Sequence, residues 1–228
     1  MHCIDLSQPL DGTASLYPGM PLPERELIAA LDRNGFVESR LSFSSHTATH
    51  MDFPAHMMAE GKNLTDYDIG DFIGRGLVLD VSSFAGGTIA KEWLLPSEAA
   101  IRQAAFVLFY SGWSGFWGTA DYLHAYPVLS VEAAAWLARL PVRGIGVDMI
   151  SVDDADATSF PVHMALLEAG KVIIENLNSL FSVLDCSFTF CSFPIKLGNI
   201  EAAPVRAVAL LDGQTADTDP LTGLSVRR

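Results

Sequence analysis

Three of the six histidines fall within one stretch of twelve residues, together with a carboxylate. The stretch runs from Ser45 to His56, and its candidate chemical groups are His46, His50, Asp52 and His56. Imidazole and carboxylate groups fill cores poorly, but they bind metals, accept protons and form hydrogen bonds. Their density favours a functional site over a polar loop with incidental histidines.

The spacing of these four side chains carries as much information as their density. All four share one parity, and the side chains of an extended strand alternate between its two faces, so a strand here would point them to one side. In a helix they would split into two clusters, and Pro54 would break the turn. Thr47 and Thr49 are β-branched and favour an extended chain. The spacing therefore predicts a strand with its polar groups on one face.

A second informative stretch lies towards the C-terminus. Residues 161–170 predict a short helix that begins with proline and ends at glycine, and residues 171–177 predict a strand. His163 by itself is typical of an ordinary helix start. Glu175 follows an apolar run, where a buried carboxylate needs a partner or a metal. Together they form a second candidate ligand pair.

The nitrogen and oxygen groups of His-x-x-x-His-x-Asp suit Zn²⁺, Mn²⁺ or Fe²⁺, with open positions left for water. With His163 and Glu175 added, five ligands could hold two ions. A bound metal lowers the pKa of water, so that hydroxide is available as a nucleophile at neutral pH. His56, four positions after Asp52 and across a proline, is predicted to move protons beside the metal.

Apolar runs separated by turn residues predict the elements that must position these groups. Strands are expected at residues 4–10, 24–30, 36–44, 76–81, 105–110, 144–148, 186–193 and 207–211. Helices are expected at residues 97–104 and 130–140. This irregular mixture predicts an α/β or α+β fold with a mixed sheet, as a single domain over residues 1–228, with a polar tail from Asp212.

Three aromatic residues are candidate substrate contacts: Tyr17, Phe53 and Trp113. Tyr17 lies in a loop punctuated by proline and glycine, where it either caps the edge of the core or lines a pocket. Trp113 lies with Trp117 in a glycine-rich segment. That segment is a hydrophobic lid, a pocket wall, a subunit contact or core that folds back.

Composition excludes several classes of protein. A net charge of −13 argues against a nucleic-acid partner, which would need a basic face. No run approaches the 18 or so apolar residues of a membrane span, and no signal peptide is recognisable at the N-terminus. The three cysteines form no CxxC pair, so we expect a protein of the reducing cytoplasm.

The segment from His46 to His56 resembles the signature of the metal-dependent cyclase family, which includes bacterial kynurenine formamidases and isatin hydrolases. The family pattern is His-x-Gly-Thr-His-x-Asp-x-Pro-x-His, and this sequence departs from it at Ala48, which replaces the glycine. Further similarity lies at residues 5–10, 17–19, 111–113, 146–153, 160–163 and 174–177. The resemblance spans nearly the whole chain.

The resemblance implies a ligand set and an activity. It assigns His46, His50, Asp52, His163 and Glu175 to one or two zinc or manganese ions per chain, with Asp52 bridging, and His56 to general acid/base catalysis. It implies a swivelling β/β/α-type domain that forms a homodimer or homotetramer. The implied reaction is hydrolysis of a carbon–nitrogen bond in a small amide, either an aryl formamide or a cyclic amide, by a hydroxide held on the metal.

Other functions remain open at this point. Tyr17 stands where kynurenine formamidases carry a tryptophan that contacts the substrate, so kynurenine formamidase proper is an alternative rather than the first expectation. A protein that binds metal or a small molecule without turnover is a second alternative, motivated by Ala48. A lyase or dehydratase with the same metal chemistry is a third.

Overall fold

A mixed β-sheet organises residues 2–211, the part of the chain that this computed structural model describes. The strands are β1 His2–Asp5, β2 Glu24–Ala29, β3 Glu38–Ser42, β4 His50–Asp52, β5 Ile73–Asp80, β6 Thr88–Ile89, β7 Phe106–Tyr110, β8 Val128–Leu129, β9 Gly144–Val147, β10 Val172–Glu175, β11 Phe188–Pro194 and β12 Ala202–Leu211. The α-helices are α1 Leu31–Asn34, α2 Lys91–Leu94, α3 Glu98–Ile101, α4 Val131–Ala138 and α5 Pro161–Glu168. Short 3₁₀ helices lie at Pro54–His56, Leu64–Asp66, Ile69–Phe72, Ser82–Phe84, Leu95–Ser97, Trp113–Phe116, Ala120–Leu123 and Leu180–Val183.

Eight of these strands form one sheet in the order β1-β12-β11-β5-β7-β9-β10-β4. Strands β5, β7, β9 and β10 run parallel, whereas β1, β4, β11 and β12 pair with their neighbours in antiparallel fashion. The short strand β4 pairs with β10 on one side and with the start of β12 on the other. That additional pairing closes the sheet into a barrel-like shape.

The two faces of the closed sheet bury separate apolar clusters. Along β7, Phe106 and Leu108 point into one cluster, and Val107 and Phe109 point into the other, all fully buried. Parallel strands covered on both faces need such continuous apolar runs, because successive side chains alternate between the faces. The second face is covered by α4 and α5, which pack against each other. This structure confirms the predicted single-domain mixed α/β architecture.

A separate two-stranded hairpin of β2 and β3 connects the N-terminal loop to β4. The predicted turn at Asn34-Gly35 forms, with Gly35 in the left-handed conformation at φ +77° after the single turn of α1. The hairpin buries almost nothing: of the residues in β2 and β3, only Ala29 is buried. Within residues 2–211 no helix has the length and apolar character to cross a membrane. The predicted tail from Asp212 lies outside the described residues.

Candidate metal centre

The strand β4 brings the central pair of the histidine-rich segment to one face. His50 and Asp52 point to the site, whereas Met51 and Phe53 point to the opposite side and are fully buried in the apolar cluster there. This alternation is the period-two pattern that the sequence predicted. Phe53, whose parity is opposite to that of Asp52, points away from the site for the same reason.

The strand is shorter than predicted, since it covers only three residues. His46 precedes it in a turn, and Ala48 between them has a left-handed backbone at φ +56°. His56 follows it at the end of a 3₁₀ helix that begins with Pro54. The prediction of one strand over the whole segment was therefore wrong, but the turns return both histidines to the site: the ring centroid of His46 is 5.1 Å from that of His50 and 4.3 Å from that of His56.

Asp52 lies at the centre of the cluster and is completely buried. Its Oδ1 is 2.8 Å from Nδ1 of His46 and 3.3 Å from Nε2 of His50. Its Oδ2 is 3.8 Å from Nε2 of His163. One carboxylate thus faces three imidazoles, and that of His163 comes from a residue more than a hundred positions further along the chain than the other two.

Glu175 enters the site through the register of the sheet. It lies opposite His50 in the antiparallel pairing of β10 with β4. Its Oε2 is 3.5 Å from Nε2 of His50, and its Oε1 is 3.3 Å from Nε2 of His163. Oε1 also accepts a hydrogen bond of 3.2 Å from the backbone N–H of Val152.

His163 lies in the first turn of α5, where Asp153 holds it. The carboxylate of Asp153 accepts hydrogen bonds from the backbone N–H groups of Val162 and His163, each 2.9 Å long, and lies 2.7 Å from Nδ1 of His163. The acidic loop before the helix therefore supplies both the cap of the helix and the orientation of its histidine. Asp148, the other carboxylate of this region, instead accepts hydrogen bonds from Ser111 and Gly112.

The cluster perturbs the protonation of its members in the absence of a metal. Burial disfavours charge on His50, but Asp52 and Glu175 overcome this and raise its pKa to about 9. Burial likewise opposes charge on His163, yet the neighbouring carboxylates of Asp153, Asp52 and Glu175 hold its pKa well above the ordinary value. Burial of Asp52 is outweighed by the surrounding histidines, which hold the pKa of its carboxyl well below the usual range.

His56 shows the opposite behaviour. Its partial burial, together with the neighbouring His46 and His163, lowers its pKa below 6.5, although Asp52 and Glu175 act in the other direction. At neutral pH its imidazole is therefore neutral and can accept a proton. His56 therefore differs from His50 and His163, whose pKa values are raised, in the property that a general base needs.

The donor set fits a divalent metal. Nε2 of His50 and both carboxylate oxygens of Asp52 are buried without a hydrogen bond of acceptable geometry, although buried polar atoms normally have partners. Donor atoms of His50, Asp52 and Glu175 lie within 4.8 Å of one another, and so do those of His46, Asp52 and His56. Unsatisfied atoms that converge in this way are what a cation would satisfy. The second group also places His56 within reach of a ligand role.

An apolar cavity of about 250 Å³ opens above these groups. Of the two interpretations of Tyr17, the structure has the residue lining this cavity, where its hydroxyl donates a hydrogen bond of 2.8 Å to the carbonyl of Ala155. Trp113 does not line it. Gly112, left-handed at φ +80°, turns the chain so that Trp113 packs on the core face that carries α4 and α5. The positions of Phe53 and Trp113 therefore do not support their prediction as substrate contacts.

Other cavity residues were missed from the sequence. They are Met20, Met57, Ile150, Ser151 and Phe160. Met20, Met57 and Phe160 each lie within three positions of a predicted site residue, so proximity in the chain was the available signal for them, but not for Ile150 and Ser151. Glu201 was also missed: its Oε1 is 3.6 Å from Nε2 of His46 and accepts a hydrogen bond of 2.6 Å from the Ser45 hydroxyl. No local pattern connects it to a segment so distant in sequence.

Comparison with known proteins decides the family. The family model for the cyclases matches residues 4–154. The kynurenine formamidase of Bacillus mycoides (strain KBAB4) is 31% identical over 206 residues, which cover 90% of this chain and 95% of that protein. The chain belongs to the cyclase family.

Solved structures agree with this family. One described as a "potential metal-dependent hydrolase with cyclase activity" is 27% identical, with a TM-score of 0.77 and coverage of 91% of this chain and 96% of that one. Isatin hydrolase A from Labrenzia aggregata, bound to benzyl benzoate, shares the fold at 24% identity, with a TM-score of 0.82 and coverage of 92% and 93%. This cyclase-family chain is a hydrolase whose site carries candidate metal-binding groups.

Proposed function

We propose that this chain hydrolyses the carbon–nitrogen bond of a small aryl formamide or cyclic amide at the His46/His50/Asp52/His163/Glu175 cluster, with His56 as the general acid/base. The observation that carries the proposal is the set of buried, unsatisfied atoms of His50, which lines an apolar cavity, and of the neighbouring Asp52. The names of the curated relatives, which are kynurenine formamidases, support this reaction class.

The chain's residues would divide the work between holding the metal and moving protons. His46, His50, Asp52, His163 and Glu175 would hold one or two divalent ions, zinc or manganese. A bound ion would supply Lewis acidity and lower the pKa of water to about 7. His56 is neutral at neutral pH and would accept a proton from the attacking water and return it to the leaving nitrogen.

The walls of the cavity favour a flat, apolar substrate of modest size. Tyr17, Phe160 and Met57 line it, and its volume of about 250 Å³ is at the small end of ligand pockets. Apolar walls also exclude bulk water, which strengthens the electrostatic effect of the charged floor. These features match a molecule of one or two rings that carries the reactive amide.

A substrate panel tests this proposal. The metal-loaded protein is assayed with N-formylkynurenine, formanilide, isatin and simple lactams, alongside His56→Gln. The proposal predicts hydrolysis of at least one ring-bearing amide and its loss in His56→Gln. Turnover of none of them, with metal bound, would favour the alternative of a binding protein, whereas elimination products would favour a lyase or dehydratase.

Kynurenine formamidase proper is the second candidate. The curated relatives with this name cover 90% of the chain, which favours it. Tyr17 in the cavity wall in place of tryptophan argues for a different ring or substituent. The panel separates the two: a clear preference for N-formylkynurenine over formanilide supports the specific assignment, and equal or reversed preference excludes it.

We also propose that the protein is a homodimer or homotetramer that associates through the β2–β3 hairpin. The hairpin and its flanks expose Leu22, Leu27, Ile28, Leu31, Phe36, Val37 and Leu41 by 43–68% each. An apolar surface of this extent is unusual on a monomer. Residues 22–41 carry four acidic and three basic residues, so this surface is nearly neutral in a chain of net charge −13. A second, equally acidic copy can approach it without strong repulsion.

Light scattering in solution tests the assembly. Leu27 and Leu41 lie on one face of the hairpin, diagonal to each other in its register. The double substitution Leu27→Glu/Leu41→Glu should give single chains where the wild type gives two or four. Ile69→Glu, at a residue outside the hairpin that is at least as exposed as Leu27 and Leu41, is the control. A monomeric wild type, or an unchanged assembly in the double variant, would contradict the proposal.

We further propose a cytoplasmic location, because Cys3, Cys186 and Cys191 are free cysteines, as is usual in a reducing compartment.

A further inference from the structure

Asn176 is a buried polar residue that the reaction does not use directly. It follows Glu175 at the end of β10 and is completely buried. We infer that Asn176 is a positioning residue, which holds the carbonyl of Ala48 so that His50 presents Nε2 to the metal cluster. The inference rests on the proposed function, because it assigns His50 to the metal.

The geometry links two ligand-bearing segments through one oxygen atom. Nδ2 of Asn176 donates a hydrogen bond of 2.8 Å to the carbonyl oxygen of Ala48. The same oxygen lies 2.9 Å from Nδ1 of His50. A carbonyl oxygen only accepts, so Nδ1 of His50 carries the hydrogen in this contact. The lone pair of a neutral His50 is then on Nε2, which is buried without a partner and faces Asp52 and Glu175.

The two residues joined by this hydrogen bond, Ala48 and Asn176, both have an uncommon backbone conformation. Ala48 and Asn176 are both left-handed, at φ +56° and +59°. Asparagine tolerates this conformation better than most residues, whereas alanine does not. The two segments are further joined by Thr49, whose hydroxyl donates a hydrogen bond of 2.6 Å to the carbonyl of Asn176. The orientation of the Ala48 carbonyl depends on a backbone conformation that alanine disfavours. We therefore infer that the hydrogen bond from the Asn176 amide holds this carbonyl in place.

A purely structural role makes a different prediction, and the chain offers the variant that separates the two. Oδ1 of Asn176 accepts a hydrogen bond of 2.9 Å from the hydroxyl of the fully buried Tyr122. Tyr122→Phe removes this bond and leaves a buried acceptor without its donor, but it leaves the contact between Asn176 and Ala48 intact. If Asn176 served only the packing of the core, both substitutions would act alike on the metal site.

The experiment compares Asn176→Gly with Tyr122→Phe and the wild type. Glycine keeps the left-handed backbone and deletes the amide. The affinities for Zn²⁺ and Mn²⁺ are measured by competition with a chelator, and the thermal midpoint of each metal-free protein records stability. We expect Asn176→Gly to weaken metal binding about 10–100-fold. Tyr122→Phe should lower the thermal midpoint but change metal affinity less than about threefold.

Two outcomes overturn the inference alone: wild-type metal affinity in Asn176→Gly, or an equal loss in Tyr122→Phe. A wild type that binds neither ion overturns the proposed function as well. If Asn176→Gly does not fold, nitrogen-15 NMR of the zinc-loaded wild type decides instead. The hydrogen of the His50 ring should reside on Nδ1, with a direct coupling across the bond to the Ala48 carbonyl, and a hydrogen on Nε2 would refute the inference.

Discussion

The carboxylate of Asp153 lies 2.7 Å from Nδ1 of His163, ten positions further along the chain. The same carboxylate accepts hydrogen bonds from the backbone N–H groups of Val162 and His163. It therefore fixes both the start of α5 and the direction of the imidazole. Nε2 of His163 is left to face Asp52 and Glu175. Such carboxylate–histidine pairs orient and strengthen metal ligands.

Replacing Asp153 with asparagine should weaken metal binding about 10–100-fold, because an amide supports neither the charge nor all three hydrogen bonds. Competition with a chelator measures the change. Asp154→Asn alters the adjacent carboxylate, which is exposed, and serves as the control. Equal metal affinity in both variants would show that Asp153 supports only the helix.

Substitutions of Asp52 and His56 should have different effects on metal content and on kcat. Asp52→Asn removes the charge at the centre of three imidazoles and should abolish stoichiometric metal binding. His56→Gln should lower kcat by about 10²–10⁴-fold while metal content stays within twofold of wild type, as expected for loss of a general base. Metal analysis and steady-state kinetics on the same preparations provide the comparison. Loss of metal from His56→Gln would instead identify His56 as a ligand, a role that its position beside His46 and Asp52 allows.

The stability of the metal-free protein should fall as pH rises from 6.5 through 9. The pKa of His50 is raised from 6.5 to about 9 in the folded chain, so the folded state binds this proton more tightly than the unfolded state. Its stabilising contribution is complete below pH 6.5 and is lost as pH rises through the folded pKa. Thermal midpoints at pH 6.5, 7.5 and 9 measure the effect.

Stabilisation of the protein by bound metal should instead increase as pH rises. An ion must displace the proton from His50, so metal affinity rises with pH, and the difference in thermal midpoint between metal-loaded and metal-free protein should widen from pH 6.5 to 9. A metal-free midpoint that rises over this range would contradict the account of His50.

The left-handed Ala48 gives a prediction about stability. Glycine removes the steric cost of φ +56°, and this gain exceeds the extra entropy that glycine loses on folding. Ala48→Gly should therefore raise the free energy of unfolding by roughly 0.5–1 kcal/mol, or a thermal midpoint by roughly 1–4 °C. Ala135→Gly, in the interior of α4, is the control and should destabilise by about 1 kcal/mol. If both variants destabilise equally, Ala48 carries no strain.

The sequence predicted what depends on local periodicity. The parity of His50 and Asp52 placed them correctly on one face, because side chains of a strand alternate whatever surrounds them. The buried strands were recognisable for the same reason, since β7 and β9 are apolar on both faces. The mixed α/β architecture followed from the order of these runs.

What depends on backbone conformation or on long-range pairing was not predictable. The left-handed turn at Ala48 is imposed by its surroundings, including the hydrogen bond from Asn176, and alanine itself does not signal it. Glu201 reaches His46 only because β12 pairs with β4. The three aromatic candidates were ambiguous because an apolar side chain suits a cavity wall as well as a core, and of these three only Tyr17 lines the cavity.

Chelation and reconstitution test the central claim most directly. The protein is assayed for hydrolysis of a ring-bearing formamide as purified, after removal of metal, and after addition of Zn²⁺ or Mn²⁺, with metal content measured at each step. The account predicts at least one ion per chain in the active protein, loss of hydrolysis on stripping and its return with metal. Hydrolysis that persists in protein with no bound metal would contradict it.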